Sequence, residues 1–170
     1  MHALPIHRFP DPLLKRATHP VQRVDADTRR FIEALIRTMR HHPRCVGLAA
    51  PQVGRDLRIA VMDASAHPKA ATHHGLLVLV NPSLHPGEES LVQREGCLSL
   101  PDFTANVRRA TRVRLNAWDR FGVPYECRLE GFEAIVAQHE VDHLDGMLFL
   151  DRVMNLTTDV FRRKRYGERR

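Results

Sequence analysis

The chain reads as an α+β protein, and three features of the sequence carry that expectation. Two stretches with helical period stand far apart, near residues 25–39 and 132–144. Between them lie apolar runs with strand character. The strands therefore precede the second helix as a group instead of alternating with helices one by one, which disfavours a doubly wound parallel sheet.

From Asp25 to Met39, the residues Phe31, Ile32, Leu35, Ile36 and Met39 recur at spacings of three and four, as on an amphipathic helix. Asp25 or Asp27 is placed to cap it, and His41, His42 and Pro43 break it. Leu57 to Met62 predicts a strand, and Asp63 to Gly75, rich in small residues and histidine, predicts a loop. Leu76 to Val80 predicts a buried strand stopped by Asn81 and Pro82. Val113 to Trp118 and Tyr125 to Leu129 flank the turn residues Phe121-Gly122-Val123-Pro124 and predict a hairpin. From Phe132 to Leu144 the period changes to about 3.6. That change places Phe132, Ile135, Val136, His139 and His143 on one helix face.

Composition narrows the function classes. With 170 residues, 43% apolar and 27% charged, the chain has the profile of one soluble globular domain. No apolar run approaches the roughly 18–20 residues of a membrane span, and the N-terminus lacks the apolar core of a secretory signal. Three cysteines are too few and odd in number for a disulfide framework, so a reducing compartment, the cytoplasm, is expected. The net charge of +6 comes largely from Arg162 to Arg170, which leaves the rest near neutral. The expected organisation is one catalytic domain over residues 1–155 and a basic tail over 156–170.

Three segments carry chemistry. In His139-Glu140-Val141-Asp142-His143 the two histidines lie at i and i+4, so their side chains point the same way and can hold one metal ion. The carboxylate of Glu140 flanks that face and reaches a water without being a ligand. A catalytic site of this type takes a third protein ligand. Histidines, acids and cysteines all remain open for that place, and spacing does not choose Cys97 over Cys45. Cys97 stands in Glu95-Gly96-Cys97-Leu98-Ser99-Leu100-Pro101, a turn-like segment. Gly47-Leu48-Ala49-Ala50-Pro51-Gln52 offers close backbone approach and a neutral amide donor in Gln52.

Taken together and in order, these segments resemble the peptide deformylase family, whose GLAAPQ, EGCLS and QHExDHLxG motifs stand here at Gly47–Gln52, Glu95–Ser99 and Gln138–Gly146. The resemblance runs from about residue 5 to about residue 152. It implies antiparallel sheets around the metal-bearing helix and Cys97, His139 and His143 as ligands. It implies Fe2+ as the working ion, with Zn2+, Ni2+ or Co2+ as substitutes. The implied reaction removes the formyl group from the N-terminal methionine of newly made polypeptides and releases formate. An ion held in such a site lowers the pKa of a water in its open position, and the resulting hydroxide attacks the formyl carbon. Glu140 then serves as general base, while the Gln52 amide and the Leu98 N–H donate to the oxyanion. Val46 and Gly47 are expected to pair with the substrate peptide as a strand does. Phe132, Ile135 and Val136 line the methionine pocket, and Gly96 keeps the wall beside Cys97 small. Asp142 and Gln138 are candidates to orient the ligands.

One position departs from the family pattern. Cys45 stands where glycine is usual, and a positive φ there would strain a cysteine. That departure keeps open a related hydrolase acting on a different N-acylated substrate. A metallopeptidase cutting internal bonds shares the helix motif but lacks the cysteine ligand and the GLAAPQ loop. The basic tail suits a ribosome contact, whereas the near-neutral body, only 6% aromatic, does not suit an RNA- or DNA-binding module.

Overall fold

The computed structural model describes residues 3–163. Helix α1 spans Ala26–His41, with the Asp25 carboxylate accepting from the Thr28 N–H at 2.8 Å as its N-cap. Its buried face holds the five predicted apolar residues together with Thr38. Strands β1 (Gly47–Ala49), β2 (Ile59–Asp63), β3 (Leu76–Pro86), β6 (Arg112–Trp118) and β7 (Pro124–Glu130) form a five-stranded antiparallel sheet in the order β1-β2-β3-β6-β7. Strands β4 (Ser90–Cys97), β5 (Leu100–Ala110) and β8 (Val160–Arg162) form a second, three-stranded one. Helix α2, Gly131–Leu144, packs on the larger sheet and also meets β5 of the smaller one.

The larger sheet is covered on both faces, which explains why β2 and β3 read as continuous apolar runs. Alternate residues separate cleanly between its two faces. Ile59, Val61, Val78 and Val80 join the α1 core, while Ala60, Met62 and Leu79 join the α2 core. Helix α2 is accordingly buried around most of its circumference, from Ala134 and Ala137 on the sheet side to Glu140 and His143 elsewhere. A third core gathers Leu14, Cys97, Leu100, Val107, Leu148 and Phe149 under the smaller sheet.

Four segments differ from the sequence reading. Asn81 does not stop β3. It takes a φ of 51° at an irregularity between Val80 and Ser83, and the strand continues to Pro86. Its side-chain amide bonds both the N–H and the carbonyl of Val21 at 2.8 Å, which compensates the unusual backbone. The long β4–β5 hairpin lies in a stretch to which the sequence reading gave no strands, because the charged Glu95 and Arg109 point inward while Leu91, Val92 and Phe103 are exposed, which breaks the apolar alternation. Cys97 ends a strand within it, so the turn proper is Leu98-Ser99. Residues Leu156–Arg162, placed in the tail from sequence, form a helical turn and then β8, paired with β5 through Thr104 and Phe161. The rest of the basic tail, residues 164–170, lies outside the described residues.

Gly146 ends α2 with a φ of 72°, and a Cβ there would stand 2.6 Å from the Arg16 carbonyl carbon. Only glycine permits that crossing, beside which Thr18 donates both its N–H and its hydroxyl to the Leu144 carbonyl. Among the described residues, no helix is long and apolar enough to cross a membrane.

Candidate active site and metal centre

The i, i+4 spacing on α2 brings His139 and His143 together, with ring centroids 5.0 Å apart. The β4–β5 hairpin delivers Cys97 to the same point, its Sγ 3.2 Å from His143 Nε2. One ligand atom from each of the three residues falls within 4.8 Å of the others. Ligands around a tetrahedral zinc-like ion stand about 3.5 Å apart, so the cluster has the dimensions of a metal centre. A soft thiolate with two imidazoles also matches the donor preference of iron or zinc rather than calcium or magnesium. Sequence spacing had left Cys97 and Cys45 equal. The fold separates them, because Cys45 is not in the cluster.

The charges support the same conclusion. Burial works against a charge on Cys97, but His143 and His139 beside it outweigh burial and hold the thiol well below its ordinary value. Burial also opposes a charge on His139, yet Cys97 and Glu95 raise its pKa well above the usual imidazole range. A buried thiolate that stabilises positive charge beside it is what a cation site requires. The Ser99 N–H at 3.4 Å and the Gln52 amide at 3.3 Å both donate to the sulfur.

A buried relay fixes His139. Its Nδ1 meets Glu95 Oε2 at 2.8 Å, which leaves Nε2 for the centre. Arg109 donates to both Glu95 oxygens, at 2.8 and 3.1 Å, and also to Asp142, which Arg152 holds from the far side at 2.7 Å. Burial raises the Glu95 carboxyl, but His139 and Arg109 together bring it down to about 2. Asp142 thus orients a ligand through Arg109 rather than directly. Gln138 does something else: it pins β5, bonding both the N–H and the carbonyl of Ala110. Sequence reasoning missed Arg109. The signal was present, since Ala105, Val107 and Arg109 share the inward phase of β5 and an arginine there is anomalous.

Gln52 is 2% exposed. Its carbonyl accepts from the Ala49 N–H at 2.9 Å, so its NH2 group is turned toward Cys97 and Ser99. Leu98 lies at the hairpin tip between Cys97 and Ser99 and lines the cavity. Gly47 touches Glu140: a Cβ at 47 would be 2.3 Å from Oε1. Burial pushes the Glu140 carboxyl up to about 7, against the pull of the two imidazoles. Its Oε2 is buried without a hydrogen-bond partner among the described residues, an arrangement that costs stability unless something else is bound there.

A cavity of about 740 Å³ opens over these groups. The structure brings all of Val46, Gly47, Gly96, Phe132, Ile135 and Val136 to its wall. His67 adds to the apolar side by stacking on Phe132, with centroids 4.1 Å apart. Cys45 also lines it, with a thiol that burial and Glu140 push up to about 12 and that donates to the Gly47 carbonyl at 3.1 Å. The left-handed residue in this turn is Arg44, with a φ of 64°, so the strain expected at Cys45 does not arise.

Comparison with known proteins gives a consistent pattern. Residues 3–159 match the family model described as polypeptide deformylase. A peptide deformylase of Alkalilimnicola ehrlichii is 42% identical over 96% of this chain and 89% of its own. The crystal structure of a peptide deformylase from Thermotoga maritima superposes with a TM-score of 0.82 at 37% identity, covering 91% of this chain and all of that one. A class I type b peptide deformylase of Acinetobacter baumannii, solved with Met-Ala-Ser bound, gives 0.83 at 32% identity over 89% of this chain and 99% of that one.

Proposed function

This chain belongs to the polypeptide deformylase family, metal-dependent hydrolases that remove the N-formyl group from nascent polypeptides, and we propose how its own residues divide that work. The observation that carries the assignment of roles is the convergence of Cys97, His139 and His143 beside a buried carboxylate, Glu140, one of whose oxygens has no hydrogen-bond partner among the described residues.

Cys97, His139 and His143 hold the metal, and Fe2+ is the working ion, with Zn2+, Ni2+ and Co2+ able to replace it. The metal when bound lowers the pKa of a water and polarises the formyl oxygen. Glu140 takes the proton from the attacking water on its free oxygen and passes it to the departing amine. A carboxyl raised to about 7 is suited to both halves of that transfer. The Gln52 NH2 and the Leu98 N–H donate to the oxygen as negative charge develops on it. Val46, just before β1, and Gly47, on that edge strand, pair with the peptide backbone. The methionine side chain fills the pocket formed by Phe132, Ile135 and Val136, and the absence of a side chain at Gly96 keeps the wall beside Cys97 small.

The working location is the cytoplasm, where nascent chains emerge. Beyond β8 and Arg163, the basic tail of residues 164–170 makes a weak, salt-sensitive contact with the ribosome. Unchanged co-sedimentation with ribosomes after removal of residues 164–170 would remove the contact from this reading.

The test of function is formate release from a formyl-Met tripeptide by protein prepared without oxygen and loaded separately with Fe2+, Ni2+ and Zn2+. Release that a chelator abolishes is expected, fastest with Fe2+. No release from protein holding one equivalent of any of these ions would refute the reading.

A further inference from the structure

Five cations line the cavity: Arg44, Lys69, Arg94, Arg162 and Arg163. Among the described residues, none of them is within ion-pair distance of a carboxylate. Elsewhere the protein pairs its cations readily, as with Arg58, Arg112, Arg120 and Arg152. The carboxylates of the cavity wall do not compensate. Glu95 is held by Arg109 and His139, and Glu140 is buried against Gly47.

Two of these cations are fixed in place without being neutralised. The Arg94 guanidinium lies over the Phe161 ring, 3.4 Å from its centroid, and donates to Thr104 and Asn106. Arg163 follows β8 and is anchored by its N–H to the Asp102 carbonyl at 2.8 Å. Its Nη2 closes on Gly96, 2.6 Å from where a Cβ would stand. Neutral partners hold the geometry and leave the charge available. Gly96 precedes Cys97, so the Arg163 guanidinium stands beside the hairpin end that carries Cys97, and Arg94 lines the same cavity.

We propose that Arg163 and Arg94 receive an acidic side chain from the two residues that follow methionine in the substrate, so that this chain prefers formyl-Met peptides carrying Asp or Glu there. The inference rests on the deformylase reading above. A peptide held along Gly47 with its methionine among Phe132, Ile135 and Val136 passes Gly96 as it leaves the cavity, and so passes both cations. The cations line a cavity of about 740 Å³ that also holds Gly47 and the Phe132, Ile135 and Val136 pocket, which favours a short peptide over RNA as their partner.

The experiment uses the metal-loaded full chain and amidated peptides, so that no terminal carboxylate contributes. Formyl-Met-Glu-Ala-amide and formyl-Met-Ala-Glu-amide are compared with the Ala-Ala, Lys-Ala and Ala-Lys peptides. The expected result is a kcat/KM about threefold to tenfold higher for an acidic peptide than for its lysine counterpart at low salt. The difference should lie in KM and shrink as salt is added. Arg163→Gln and Arg94→Gln should each bring the acid-to-lysine ratio toward one. Equal kcat/KM for all five peptides with brisk formate release overturns this inference and leaves the function standing. So does an unchanged ratio in both variants, or equal peptide rates together with strong inhibition by single-stranded RNA, which would give the cations to a polyanion. No formate from any peptide overturns the function and this inference with it.

Discussion

Arg109→Met tests the buried relay most directly. Arg109 is 4% exposed and joins Glu95 to Asp142. Removing one partner of a buried pair typically costs about 3–5 kcal/mol, because a charge is left without compensation. Here both carboxylates retain a second partner, Glu95 in His139 and Asp142 in Arg152. The lower end, about 3 kcal/mol, is therefore expected. For a chain of this size each kcal/mol shifts the melting temperature by about 2–4 °C, so the drop should be about 6–12 °C. Metal affinity should fall as well, by about 10-fold to 100-fold, since His139 loses the group that fixes its carboxylate partner. The assay is thermal melting followed by circular dichroism, with metal affinity from chelator competition.

Two controls make the reasoning vulnerable. Glu95→Gln added to Arg109→Met removes the stranded charge and should recover about 1 kcal/mol relative to additivity. Glu95 is held near 2 by His139 and Arg109, below the ordinary carboxyl value of 4.5. Its contribution is therefore complete above pH 4.5 and is lost as pH falls toward 2. Arg109→Met should flatten that acid limb. A melting temperature within about 2 °C of the parent, with unchanged metal affinity, would refute the relay.

Other expectations follow from the site geometry. Glu140→Gln should keep the metal and lose about 10²-fold to 10⁴-fold in kcat; retention of more than a tenth of the rate removes Glu140 from the base role. Gln52→Ala should raise the barrier by about 2.7–4 kcal/mol with the metal retained, measured as kcat/KM for a formyl-Met peptide. Gly47→Ala places a Cβ 2.3 Å from Glu140 Oε1, so kcat should fall while metal content does not, and an unaffected kcat would contradict the contact. In metal-stripped protein at pH 7, iodoacetamide should modify Cys97, whose thiol is held low, well before Cys45, held up at about 12, and loading the metal should protect Cys97. Peptide mapping that finds Cys45 modified first would reverse the assignment.

The comparison of sequence with structure turns on the range of the interactions involved. Helix α2 and its two histidines were legible because a helix repeats every few residues and four residues suffice to aim two rings together. The apolar phases of β2 and β3, the cap at Asp25 and the hairpin around Gly122 were legible for the same local reason. The Cys97 ligand was not derivable from spacing, since it meets His143 across 46 residues and only the family motifs pointed to it. Asn81 misled because its left-handed backbone is stabilised by Val21, 60 residues away. The β4–β5 hairpin is set by pairing between strands that bury Glu95 and Arg109 and expose Leu91, Val92 and Phe103, so the usual alternation was hidden.

By itself, then, the sequence determined the α+β class, the metal-binding helix face and the glutamate beside it, and its family motifs pointed to part of the cavity wall. These follow from periodicities and short motifs, which encode direction along one element. The tertiary structure decided which cysteine completes the cluster, which arginine holds His139 in place through Glu95, and which cations border the cavity. Those facts depend on how separate elements are placed against one another. Burial then sets their energies, because a charge out of water is tolerated only where the fold brings it a partner.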